Sequence, residues 1–217
     1  MQIIRSKRKT VALIIERDGN LTVRAPLNIE LTEIERLVAQ KSGWIRERQE
    51  WIRSNLPPPH RYQAGEHFFY LGLEYPLQIV EHQKAPLVLD QAFKIDLKAY
   101  SDARRIFKEW YKKHARKFIG ERATALSDRH NLKYNRLRIT SARTRWGSCS
   151  TRKTLSFSWR LVMAPPEVID YVVIHELAHL KHHRHTSEFW KLVEQLCPEY
   201  RARRGWLKEN GFQLDLE

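Results

Sequence analysis

Apolar positions along this chain change their period several times, and each change marks an element. Thr10–Glu16 and Leu21–Ala25 read as strands, and Asp18-Gly19 between them is a strong turn signal, so residues 2–25 predict a β-hairpin. From Thr32 to Asn55 the period lengthens. Ile34, Leu37, Val38, Lys41, Ile45 and Ile52 recur at helical spacing, with Trp44 and Trp51 beside them, which predicts one amphipathic helix facing a core. Pro57-Pro58-Pro59 ends that helix and makes a stiff connector. Short apolar runs at Phe68–Leu71, Tyr75–Val80, Leu87–Leu89 and Phe93–Leu97 are separated by Gly65, Gly72 and Pro86, so Gln63–Leu97 reads as β-structure. Ser101–His130 reads as one long helix. Ile106, Trp110, Phe118, Ala125 and Leu126 form its inner stripe, and Lys and Arg cover the rest.

Beyond it, Leu137–Arg145 and Thr154–Met163 read as strands, with Arg145–Cys149 as a turn. Pro165 and Pro166 then open a helix in which Val168, Ile169, Val172, Val173, Leu177 and Leu180 surround a few polar residues. Glu167 and Asp170 suit the positive end of its dipole. Leu192, Val193 and Leu196 mark a further helix ending at Cys197-Pro198. Glu199–Asn210 is a last one, closed by Gly211. The expected organisation is a β-rich part over 1–100 with one helix near 30–55, and a second part over 101–217, joined by the long helix.

The polar residues of the apolar helix are His175, Glu176 and His179, within HELAH. Residues four apart share a helix face, so both imidazoles can reach one cation, and Glu176 on the neighbouring edge can touch a metal-bound water. That is the arrangement of zinc hydrolases, with the glutamate as general base. A catalytic zinc takes a third protein ligand. His183 would lie roughly 12 Å along the axis from His175 if the helix ran on, too far to share a tetrahedral ion. A chain that leaves the helix near Lys181–Arg184 instead swings His185 back, with Thr186 or Ser187 capping a new helix at Glu188. His182 and a distant carboxylate are the rival third ligands. HExxHxxxxxH has the histidine spacing of the metzincins, but His182 replaces their turn glycine and no methionine follows. Zinc is the expected metal, with another divalent transition metal as the alternative.

Charge changes the picture next. The net charge of the chain is +14. Between Ser101 and Lys153 sixteen Lys and Arg stand against Asp102, Glu109, Glu121 and Asp128, a net of +12. A block of this kind suits a polyanionic partner, a nucleotide or nucleic acid, and equally a solvated helix face. Arg143, Arg145 and Trp146 are candidate substrate contacts, able to bind a phosphate and stack on a base, or to form a packing cluster. Tyr171, one turn before His175, is a candidate second donor to a developing oxyanion, or packing. The two cysteines, Cys149 and Cys197, imply no disulfide framework, and Cys149 reads as a small buried residue. No segment reads as a signal peptide or membrane span, so a cytoplasmic protein is expected.

Several stretches together resemble the YgjP-like metallopeptidases: Gly65–Ile79, RWGSCS at Arg145–Ser150, Leu155–Leu180, HTSEFW at His185–Trp190 and Cys197–Gly211. That family is similar to the SprT-like and WLM metallopeptidases, some of which cut proteins bound to DNA. The resemblance implies zinc at His175, His179 and His185 with Glu176 catalytic, and a protein or peptide substrate. It implies an α+β fold whose C-terminal part is zincin-like, with a small sheet packed on the HExxH helix. A strand just before such a helix can pair with an extended peptide. Two other functions fit the residues: a metal-dependent nucleoside triphosphate hydrolase, and a nucleic-acid-binding protein with a structural zinc. Glu176 argues against the last, since a structural site requires no base.

Overall fold

The computed structural model describes residues 1–16, 18–55 and 58–216. It is an α+β protein that divides into two compact units, Met1–Pro58 and Pro59–Glu217. Among the described residues no helix is long and apolar enough to cross a membrane.

The first unit is a three-stranded sheet, β1 (Gln2–Ser6), β2 (Ala12–Ile15) and β3 (Leu21–Pro26), with two helices. The hairpin forms between β2 and β3, and β1 adds a parallel strand on the other side of β3. Gly19 takes φ +80 in the turn, and the Asp18 carboxylate accepts from the Asn20 amide at 2.9 Å. Leu21, Val23, Ala25, Ile34 and Ile45 form the core of this unit. The single predicted helix is two, α1 (Leu31–Gln40) and α2 (Ser42–Asn55). The break falls at Lys41, whose amide reaches both Leu37 O and Val38 O, beside the Ser42-Gly43 pair. Serine and glycine are weak helix formers, and pairs of them are common bend points. Trp44 is exposed rather than part of the inner stripe. Of the triple proline, Pro57 lies outside the described residues.

In the second unit, β4 (His67–Tyr70), β5 (Leu73–Val80), β6 (Leu87–Leu89) and β7 (Phe93–Asp96) form a sheet in the order β4-β5-β7-β6. Leu71 and Gly72 turn the β4–β5 hairpin with φ values of 51 and 80. The turn docks on a later 3₁₀ segment, Trp159–Met163, through Leu71 N to Val162 O and Gly72 N to Met163 O. A side chain at Gly72 would meet Pro165 at 2.8 Å.

A 3₁₀ turn at Leu97–Asp102 leads into α3 (Ala103–His130), which Asn131 caps in the left-handed conformation. The buried line of α3 is Phe107, Tyr111, Ala115, Ile119, Ala123 and Leu126. Ile106, Trp110 and Phe118 are only half-buried and Ala125 is exposed. The inner face thus lies about one residue from the expected one, because small alanines between aromatics let neighbouring segments approach closely.

The second sheet has the order β8-β10-β9, from β8 (Arg136–Thr140), β9 (Gly147–Cys149) and β10 (Thr154–Ser158). Two predicted strands are shorter than expected, and part of the predicted Arg145–Cys149 turn is a strand. β10 passes into Trp159–Met163, whose five side chains are all buried, so period-two alternation stops there. Arg160 in that segment is buried and paired with Asp215 at 2.7 Å. Helices α4 (Pro166–Ala178), α5 (Ser187–Leu196) and α6 (Tyr200–Asn210) complete the unit.

Candidate metal centre

Pro165 precedes and Pro166 opens α4, which then buries Val168, Ile169, Val172, Val173, Ile174, Leu177 and Ala178. A helix buried on nearly all sides fixes the direction of each polar side chain it carries. Its regular turns stop at His179: Leu180 N reaches Leu177 O, while Lys181 N and His182 N both reach Ala178 O. The chain then reverses; Thr186, one of the two expected capping residues, stands at the N-cap of α5, which begins at Ser187 rather than Glu188.

This reversal brings the imidazoles together. His185 Nε2 lies 3.0 Å from His175 Nε2. One donor atom from each of His175, His179 and His185 falls within 4.8 Å of the others, a group able to hold a metal ion. Nitrogens on a tetrahedral zinc stand about 3.3 Å apart, from bonds of about 2.0–2.1 Å. His179 Nδ1 meets the His182 carbonyl at 3.0 Å. That contact suits a proton on Nδ1 and leaves Nε2 for a cation. Nδ1 of His175 is buried with no hydrogen-bond partner among the described residues. With its proton there, this ring also offers Nε2. Phe189, fully buried, stacks on His179 at 4.5 Å, and Trp190 stacks on His185 at 5.6 Å. His185 itself is exposed, so one side of the group is open to solvent.

Burial pushes His175 down to about 3, helped by the other two rings and Arg204, and burial also lowers His179. Both are therefore neutral near pH 7, the form that ligates a cation. The donor set fits a divalent transition metal.

Glu176 is 5% exposed. Burial raises its carboxyl to about 8, partly offset by Arg145. A cation beside it would draw that value down again. The carboxylate lies against β9: a Cβ on Gly147 would stand 2.6 Å from Glu176 Oε1. Only glycine fits there, and the sequence signal for it was the glycine of RWGSC. β9 is also an edge strand of its sheet.

The remaining candidates differ in burial and surroundings. Arg143 and Arg145 are exposed on the segment before β9. Trp146 packs on the start of the C-terminal tail, where a Cβ at Gly211 would meet its ring at 2.8 Å. Arg145 and Trp146 share a cleft of about 110 Å³ with Thr140, Ser148, Ser156 and Ser158. Tyr171 is buried, its ring 6.0 Å from that of His175, and burial raises its hydroxyl to about 12. Cys149 is half-buried and raised to about 11 by burial and then Glu176, so it is a protonated thiol at neutral pH. The sequence reading missed Phe189, Trp190 and Arg204. Arg204 sits 5.0 Å over the Trp190 ring.

A family model described as the YgjP-like metallopeptidase domain matches residues 9–210. Among solved structures the chain is similar to the metallopeptidase zymogen of Pyrococcus abyssi abylysin. The two are 26% identical over 42% of this chain and 93% of that one, with a TM-score of 0.38. No curated protein matches.

Proposed function

This chain belongs to the YgjP-like metallopeptidase family, and from that premise we propose that it is a zinc-dependent peptidase with His175, His179 and His185 as metal ligands and Glu176 as general base. The observation that carries the reading is the meeting of three imidazoles beside a carboxylate that is buried and steered by a glycine. A metal held there would polarise a scissile carbonyl and acidify a water.

The chain's own residues do the rest. Glu176 takes the proton of the attacking water and delivers it to the leaving amine. Gly147 lets that carboxylate lie flat against β9, and the walls of α4 deny it other directions. The free edge of β9 offers main-chain groups to an extended peptide, which aligns the scissile bond over the imidazoles. Arg143 and Arg145 are substrate contacts on the approach to this edge, and Trp146, anchored at Gly211, holds the segment that carries them. Tyr171 is the proposed second donor to the developing oxyanion. The exposed basic residues of α3, including Lys113, Arg116 and Lys117, support action on proteins near nucleic acid.

The test is hydrolysis of denatured casein, and of a panel of nucleoside triphosphates, by zinc-loaded protein and by Glu176→Gln. Casein cleavage lost in Glu176→Gln supports the reading. Nucleotide hydrolysis lost in the same variant would replace it with phosphohydrolase chemistry. Unchanged DNA binding with no hydrolysis of either kind would leave a structural metal.

A further inference from the structure

We propose that Arg204 on α6 is a specificity-determining residue that selects peptides carrying a carboxylate within a few residues of the scissile bond, a role that rests on the peptidase reading above. Three arginines lie in the first half of α6, and the chain treats them differently. Arg201 meets Glu194 at 2.6 Å, and Arg203 is paired with both Glu199 and Glu167. Arg204 is exposed and has no carboxylate or other oxygen partner among the described residues.

Trp190 places that cation beside the imidazoles. The guanidinium carbon lies 5.0 Å over the indole, and the indole centroid is 5.7 Å from that of His175 and 5.6 Å from that of His185. Tyr200, itself buried, stacks on the same indole at 5.5 Å, so the platform is anchored in the fold. The charge of Arg204 acts on both Tyr171 and His175, which agrees with this placement. An extended peptide advances about 3.3 Å per residue, so a group about one to three residues from the scissile bond comes within reach of Arg204.

Hydrogen-bonding chemistry decides the class of ligand. An indole offers a π-face but no acceptor atom, so the cation–π contact steadies Arg204 without using its N–H groups. The N–H fork stays available to a planar anion, and it matches a carboxylate in bidentate geometry. In a peptide that group is an Asp or Glu side chain or the C-terminal carboxylate. Glu176 does not fill the role from within the chain, because it is buried against Gly147 of β9 and the arginine that acts on it is Arg145. A donor already held beside the site loses little freedom when the substrate arrives.

Isothermal titration of zinc-loaded, full-length Glu176→Gln protein tests this without turnover. The probes are three N-acetylated alanine pentapeptides: one with a free C-terminus, one amidated, and one amidated with Glu as its third residue. One or both carboxylate peptides should bind about tenfold or more tighter than the neutral one, and which of them does so identifies the carboxylate as terminal or side-chain. Adding Arg204→Met should remove that advantage, and Arg204→Lys should keep part of it. Arg201→Met, which removes a guanidinium already held by Glu194, should keep all of it. Thermal melts establish that each variant is folded. In casein hydrolysis, Arg204→Met with Glu176 intact should raise KM and leave kcat within about twofold. The proposal is overturned by equal affinity of the three peptides, by an advantage that survives Arg204→Met, or by an equal loss in Arg201→Met, which would mark a diffuse basic surface. A fall in kcat at unchanged KM would also overturn it, since Arg204 would then act on the transition state. Casein left uncut by wild type would remove the peptidase reading, while the titration still decides whether Arg204 selects carboxylates.

Discussion

A methyl group at position 147 has no room. Its carbon would lie 2.6 Å from Oε1, 2.7 Å from Cγ and 2.9 Å from Cδ of Glu176. Ordinary contacts between such atoms begin at about 3.5 Å, so strand or carboxylate must move by about 1 Å. The carboxylate is 5% exposed on a helix packed nearly all round, so no relaxed position is open to it. A displacement of about 1 Å in a catalytic group reduces turnover by about 100-fold. Gly147→Ala should therefore lose about two decades of kcat/KM on casein and about 1–3 kcal/mol of stability, as overpacked sites do. Its zinc content should match wild type, because the three atoms nearest to the added carbon all belong to Glu176 and none to an imidazole. Ser148→Ala, the next residue of β9, serves as the control. The assays are initial rates at saturating zinc, bound zinc by elemental analysis, and urea unfolding. A folded, fully metal-loaded Gly147→Ala with activity within about threefold of wild type would refute both the glycine argument and the role of Glu176.

Other outcomes follow from the same geometry. His185→Ala should lose bound zinc, whereas His182→Ala should keep it, because His179 meets the backbone carbonyl of residue 182 and not its side chain; equal zinc in all three proteins would contradict the ligand assignment. Asp215→Ala leaves the Arg160 guanidinium buried beside a lost partner, with an expected loss of about 3–5 kcal/mol in urea unfolding. In metal-free protein Glu176 titrates at about 8 when folded against 4.5 in the free group, so the folded state holds its proton longer and stability falls as pH rises through that interval. His175, lowered to about 3, acts in the opposite sense but only below 6.5. From pH 6.5 to 8 the decline due to Glu176 is at most about 2 kcal/mol, and a melt of Glu176→Gln should be flat over that range.

Local periodicity made much of this protein legible. HELAH reads as paired ligands because the 3.6-residue repeat alone places His175 and His179 on one face. The break between β4 and β5 reads from Gly72 because a two-residue turn needs positive φ. Where packing between distant segments decides, the sequence was silent or misleading. Bulk pointed to Ile106, Trp110 and Phe118 as the inner line of α3. The buried line instead runs through Ala115 and Ala123, whose value is that they are small and let a neighbour in. Likewise Thr154–Met163 looks like one strand by composition, yet it turns at Trp159, where the ion pair of Arg160 with Asp215 satisfies a charge that no strand face could bury.

The same division runs through the candidate site. Two imidazoles lie on one helix, so their spacing is written in five consecutive residues. The third depends on how the chain reverses after His179, and that reversal is made by Ala178 O accepting two amides and His182 O meeting an imidazole. Neither contact has a side-chain signature, which is why His182 and His185 could not be told apart by residue type. The carboxylate proposed as the base depends on a still more distant partner. Glu176 and Gly147 are far apart in the chain, and what they share is a clash that glycine avoids. The glycine of RWGSC is visible in the sequence, but not the side chain it makes room for, so its pairing with Glu176 appears only once α4 and β9 are packed together.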